Sequence, residues 1–297
     1  MDYGAKKCTG FRVVSYIVLT ILAICCIVPL LNVIMISITD ESAIKDYGYM
    51  LIPKKFDFSA YRLLASKPES ILQAYKITAI VTFAGTLISV LIGTSYAYTL
   101  SRRNFLIRRQ TSFYLYFTML FSGGLIPTYI LVAHILGLKN NLLALILPYC
   151  VAPYNIFLTR TFIQQIPAEL FEAAKMDGAS EHKILYSLVY PMCKGGIATI
   201  VMFNLLGFWN AWQPCLYYIS DSRYYTLQYM LQVLMNRIST LKMEMDMGMQ
   251  AATALASLPE NSLRMATCLI AIGPLIVAFP FFQKYFVHGI AVGSVKG

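Results

Sequence analysis

Six runs of this chain contain no Asp, Glu, Lys or Arg, and each is long enough to cross a bilayer. They are Val13–Thr39, Ile77–Ser101, Gln110–Leu138, Asn140–Thr159, Gly195–Ser220 and Met265–Gln283. A membrane helix needs about 20 apolar residues. In lipid every backbone N–H and C=O must be paired within the chain, which leaves only helices or a closed barrel. The runs are continuous in Leu, Ile and Val and do not alternate residue by residue, so they read as helices. Composition agrees. Only 13% of residues are charged and 58% are hydrophobic, against about 25% charged in a soluble domain. So few charges exclude a disordered chain and leave too little to coat a water-facing surface. The expected fold class is an all-α integral membrane protein. It forms a single transmembrane domain over 1–297, with spans at about 13–39, 77–101, 110–134, 140–160, 196–220 and 265–286. Pro148 and Pro153 predict a kink in the fourth span, and Pro274 and Pro280 in the sixth.

The net charge of +10 is read as the positive-inside bias of a membrane protein, not as a nucleic-acid footprint. The basic residues lie between apolar runs, with no basic stripe interleaved with aromatics. Total Lys and Arg nearly balance on the two sides, so the short loops decide. Arg102, Arg103, Arg108 and Arg109 crowd one of them, whereas the short loop His134–Asn141 on the other side has only Lys139. Both termini are therefore expected on the cytoplasmic side. The outside segments are then 40–76 and 221–264. Ser59 is a candidate cap for a short helix in the first. Leu227, Met230, Leu231, Leu234 and Ile238 have helical spacing in the second. The first apolar run is too long for a signal-peptide core and is followed by no A-x-A site.

Much chemistry is missing from the sequence. Cys8, Cys25, Cys26, Cys150, Cys193, Cys215 and Cys268 form no C-x-x-C pair, and His134, His182 and His288 lie in different segments. No disulfide framework or metal site is expected. There is no nucleophile elbow, no H-E-x-x-H and no phosphate loop. Ion-coupled transporters usually need an ionisable group at membrane depth, and the six runs hold none. An intramembrane enzyme is disfavoured for the same reason. What remains is a pathway protein whose driving energy enters from elsewhere. The alternative is a stand-alone ion-coupled secondary transporter or channel.

The longest inside loop, 164–191, has an internal logic. Pro167 suits the start of a helix, with Glu169 and Glu172 near its positive end. Leu170, Ala173 and Ala174 offer a small apolar face. Gly178 can take a positive φ and end the helix. Ser180 can cap a second helix, Glu181–Tyr190, whose apolar face is Ile184, Leu185, Leu188 and Val189. Pro191 stops it. This helix–turn–helix elbow is either a packing device or a docking surface for a cytoplasmic partner.

Here the sequence resembles a known family. Glu172-Ala173-Ala174-x-x-x-Gly178, followed by Ile184 and Pro191, is similar to the EAA motif of the inner-membrane permeases of binding-protein-dependent ABC importers. Ser122-Gly-Gly-Leu-Ile-Pro-Thr-Tyr129, Trp209-Asn210 and Gln283-Lys-Tyr-Phe-Val-x-Gly near the C-terminus extend the likeness over nearly the whole chain. They resemble the carbohydrate-uptake branch, its maltose-permease-G-like arm and, within that, permeases for complex oligosaccharides. Tyr190-Pro191 stands where the family commonly has Leu-Pro.

The resemblance implies a transport subunit and not an enzyme, in a bacterial-type plasma membrane. Its partners would be a second homologous permease, two ATP-binding cassette subunits and an extracytoplasmic solute-binding protein. No cofactor is expected in this chain, since ATP and Mg would be bound by the ATPase subunits. Glu172, Ala173, Ala174, Asp177 and Gly178 would form the ATPase-docking coupling element, and the tail to Gly297 would reach the ATPase dimer.

For the sugar pathway the candidates are Asn204, Trp209, Asn210, Trp212 and Gln213 in the fifth span, which holds both tryptophans of the chain. Amides hydrogen-bond sugar hydroxyls and aromatic rings cover sugar C–H faces. The competing reading is an interfacial aromatic belt with interhelical amide bonds. Tyr154 and Asn155 form a second, weaker pair. Gly123, Gly124 and Pro127 read as either a hinge or a close-packing site.

Overall fold

A helix with no polar side cannot face water, and the first helix is of that kind. In α1 (Thr9–Ser37), Tyr16, Leu19, Leu22 and Ile24 are exposed, and the rest of the chain buries its end at Ile36 and Ser37 but none of its most apolar stretch. Only a nonaqueous surrounding accommodates such a helix. The computed structural model describes the backbone of residues 9–66, 68–246 and 259–294. The described residues are helical apart from loops and one isolated bridge, Thr39 to Phe56. They divide into two units, 1–68 with 233–273, and 69–232 with 274–297.

In the first unit α1 is followed by two short helices, α2 (Glu41–Tyr47) and α3 (Ser59–Ala65). Asp40 caps α2, accepting a hydrogen bond from the Ser42 N–H at 3.0 Å and pairing with Lys55 at 2.9 Å. The bonds from Ser42 and Lys55 pull its carboxyl pKa down to about 2. Ser59 begins α3 but does not cap it. The Asp57 carboxylate accepts the Ser59 N–H at 3.1 Å, because an Asx side chain reaches the N–H two residues on.

The second unit starts on α4 (Pro68–Ser101), 34 residues long. At 1.5 Å per residue it is about 50 Å long, well beyond a bilayer core of about 30 Å. Its partners are broken helices. α5 (Arg108–Leu120) turns through 115° at Gly123–Gly124 into α6 (Leu125–Tyr129) and a π turn, Ile130–Ile135. An added Cβ at either glycine meets nothing within 4 Å, and Gly124 has φ 87°. The pair therefore marks a chain break and not a close contact. α7 (Leu143–Ile146) and a 3₁₀ turn bend by 52° into α8 (Pro153–Ile163), where Pro148 and Pro153 lack the N–H a straight helix needs. α9 (Ala168–Met176) stands alone. α10 (Glu181–Ile184), a π turn and α11 (Tyr190–Met192) bend by 87° at Cys193 into α12 (Lys194–Trp209), the membrane limb of that pair. α13 (Gln213–Tyr218) follows. Among the described residues three helices are long and apolar enough to cross a membrane, and up to six spans result if each bent pair counts as one.

α14 (Leu227–Asp246) buries Leu227, Leu231 and Ile238, the positions whose spacing marked a helix. α15 (Glu260–Ser294) contains Pro274 and Pro280. The Glu41 carboxylate caps its start, accepting from the Asn261 backbone N–H and, at 2.8 Å, from the Asn261 side chain. The tail to Gly297 lies outside the described residues.

Candidate functional site

The elbow is built locally first. Pro167 precedes α9, and Gly178, at φ 73°, reverses the chain after it. That left-handed conformation costs any residue with a Cβ roughly 1 kcal/mol or more. It lets the Gly178 and Ala179 N–H groups donate to the Lys175 and Ala174 carbonyls, each at 3.0 Å. The Ser180 hydroxyl then accepts the Lys183 N–H at 3.3 Å and caps α10. Ile184, Leu185 and Val189 are buried and Leu188 half-buried.

The tertiary support comes from elsewhere in the chain. Phe171 is buried, with the Arg102 guanidinium 4.6 Å over its ring and the Tyr98 ring 6.4 Å away. The Tyr98 hydroxyl donates to the Glu181 carboxylate. Glu181 also pairs with Lys175 at 2.8 Å and Arg102 at 3.9 Å. The Lys175 and Tyr98 bonds hold the Glu181 carboxyl below the usual glutamate range. Ile163, Ile166 and Ala174 complete the packing. The buried face of α9 is thus Phe171 with Ala174. It is not Leu170 with the two alanines, since Leu170 stays 39% exposed. Tyr98, Arg102, Phe171 and Glu181 were not singled out as elbow residues from sequence. The Phe171–Ala174 spacing, three residues apart on one helical face, was the available signal.

What this frame presents outward is Glu172, Ala173, Asp177 and Gly178, all exposed. Beside them lies a cavity of about 900 Å³ lined by Arg102, Arg103, Arg108, Glu169, Glu172 and Glu181. A rigid elbow with a carboxylate at its tip can dock a protein surface that offers a cation.

The five pathway candidates do not converge. Asn204 is buried, and its Oδ1 accepts bonds from Ser89 at 3.2 Å and Asn155 at 3.0 Å. Its Nδ2, like the nearby hydroxyls of Thr82 and Thr86 on α4, is buried with no hydrogen-bond partner among the described residues. Trp209 is buried, with the Tyr75 ring 6.4 Å away. Asn210, Trp212 and Gln213 are exposed. The Asn210 amide donates to the Leu206 carbonyl at 2.9 Å, ending α12, and its oxygen accepts from Gln228 at 3.4 Å.

Residues 85–292, which include the elbow and the fifth span, match the model of the binding-protein-dependent transport system inner membrane component family. The chain belongs to that family. The permease is 34% identical over 287 residues to the polygalacturonan/rhamnogalacturonan transport system permease protein YtcP of Bacillus subtilis (strain 168), covering 97% of this chain and 98% of that one. It is 35% identical over 271 residues to protein LplC of the same organism, covering 91% and 90%. Among solved structures it is similar, with TM-score 0.77 and 28% identity over 96% of this chain and all of the other, to a bacterial ABC transporter involved in the import of the acidic polysaccharide alginate. The permease is a transport subunit of a bacterial inner membrane and not an enzyme. Family membership brings with it a solute-binding protein, ATPase subunits and a partner permease.

Proposed function

We propose that this permease forms half of the translocation pathway of an ATP-driven oligosaccharide importer, with both termini and the elbow on the cytoplasmic side. Two ATPase subunits, which hold ATP and Mg, dock on the elbow of this chain and on that of a second, homologous permease. The single observation that carries the coupling role is the exposed tip of Glu172, Ala173, Asp177 and Gly178, with Ala174 tucked behind it, standing on a frame pinned by Phe171, Arg102 and Glu181. Glu172 meets a basic group of the ATPase. Asp177 lies at the same tip, and Gly178 sets the angle that transmits motion. A cargo of linked sugars is supported by the similar proteins, of which YtcP is named for polygalacturonan/rhamnogalacturonan and the solved transporter for alginate. In the pathway, exposed Asn210, Trp212 and Gln213 meet the sugar, while Asn204 and Trp209 hold α12 in place behind them. Co-reconstitution of the permease pair, ATPase and binding protein tests this reading. Sugar uptake requires ATP and the binding protein. Uptake by the permease alone under a Na⁺ or H⁺ gradient would establish the ion-coupled alternative instead.

A further inference from the structure

Where α5 packs on α8, positive charge stands without an ion pair among the described residues. Arg160, in the last turn of α8, spends one donor on the Ser112 hydroxyl at 3.4 Å. Its Nε is buried and has no partner among the described residues. Arg108, at the start of α5, lies one turn before Ser112 on the same face of that helix. Neither arginine, nor the exposed Arg103 and Arg109, makes an ion pair among the described residues. Two like charges, half-withdrawn from water and making no ion pair, favour an anion beside them.

The surroundings say which anion. Beside the arginines, Leu106 is 96% exposed and Ile107 is 55% exposed. One turn beyond Arg109 an exposed aromatic row begins, Phe113 tilted against Phe117 at 6.3 Å and Phe117 stacked on Phe121 at 4.5 Å. From Arg109 to Leu120 the helix rises about 16 Å at 1.5 Å per residue, comparable to one leaflet of a bilayer core about 30 Å thick. A guanidinium cluster at one end of a leaflet-length apolar row matches a charged head with acyl chains.

We propose that the α5–α8 groove binds an anionic phospholipid. Arg108 and Arg160 hold the phosphodiester, Arg109 meets the outer headgroup oxygens, and the acyl chains lie along Phe113 and Phe117. Guanidinium suits this task because its planar donors pair with phosphate oxygens two at a time. The inference needs only the membrane location. It does not depend on the coupling or pathway roles, so failure of Glu172 variants to transport leaves it intact.

The assembled importer, purified in detergent, is titrated with phosphatidylglycerol and with phosphatidylcholine of the same acyl chains, and bound lipid is counted by native mass spectrometry. The expected result is at least tenfold tighter retention of phosphatidylglycerol, lost in Arg108→Gln and in Arg160→Gln and weakened in Phe113→Ser/Phe117→Ser. Should Arg160→Gln not assemble, the more accessible Arg108 decides. Equal retention of both lipids, or retention unchanged in Arg108→Gln, overturns the proposal. Inorganic phosphate competing as well as phosphatidylglycerol, with the phenylalanine variant unaffected, makes this a free-anion site and also overturns it. Loss of a partner subunit from Arg108→Gln with lipid retention intact assigns the arginines to a protein carboxylate and overturns it too.

Discussion

The elbow and the polar seam around Asn204 both place unusual side chains between helices, but they are held in opposite ways. The elbow is held by charge at a half-open surface: Glu181 against Lys175, Arg102 and Tyr98, with Phe171 beneath. The seam is neutral and buried: amide to hydroxyl and amide to amide, with the Asn204 Nδ2 and two threonine hydroxyls left over. A charged frame resists bending and gives up its strength to acid. A neutral seam with spare donors and acceptors can re-pair when helices shift, and it is indifferent to pH. The first suits a lever that passes on force, the second a contact between moving helices.

The largest expected effect separates tip from frame. Gly178→Asp places a side chain in a left-handed turn and is expected to abolish uptake while the chain remains in the membrane, as measured by transport and membrane immunoblot. Next comes the frame. Phe171→Ala removes a buried ring, costing about 3 kcal/mol locally, and is expected to lower uptake at unchanged sugar affinity of the binding protein. In the seam, Asn204→Leu leaves Ser89 and Asn155 without their acceptor. It should cost about 1–3 kcal/mol of thermal stability, whereas Thr82→Val removes an unpartnered hydroxyl and should be neutral or slightly stabilising. Melting in detergent distinguishes them, and equal losses would mean that the seam's paired and unpaired groups carry the same weight. Acid gives a smaller effect. The Glu181 carboxyl is held below its ordinary range. Its contribution is therefore fully present above the unfolded glutamate value of about 4.3 and is lost as pH falls through the lower folded value. The elbow's protection from proteolysis should decline over that acid window and stay level in Glu181→Gln, with no matching change in the seam.

Legibility in the sequence follows the same division. Gly178 and Ser180 act within a few residues, so the elbow's turn and its capped second helix could be read along the chain, whereas Pro191 does not stop that helix: it sits in the first turn of α11, where its missing N–H is tolerated, and the run breaks at Cys193. Six apolar runs announced a helical membrane protein for an equally local reason. The partners of Phe171 and Glu181 could not be read, because Tyr98 and Arg102 lie on another helix and only folding brings them near. For the same reason Arg102 could be read only as one of the loop cations behind the expected orientation, and not as the cation over Phe171. The pathway candidates share one span and one chemistry, yet packing separates buried Asn204 and Trp209 from exposed Asn210, Trp212 and Gln213. Burial in a bundle depends on neighbours the periodicity of one helix does not name.

The central claim is that the Glu172 tip docks an ATPase subunit, and the binding of that subunit to permease-containing membranes tests it most directly. Losing one partner of a desolvated ion pair costs about 2–5 kcal/mol, which corresponds to roughly 30-fold or more in affinity. The account predicts that Glu172→Ala weakens ATPase binding by at least that factor, with the permease pair still assembled in the membrane. Binding of undiminished affinity to Glu172→Ala membranes, with full ATP-driven uptake, would contradict it.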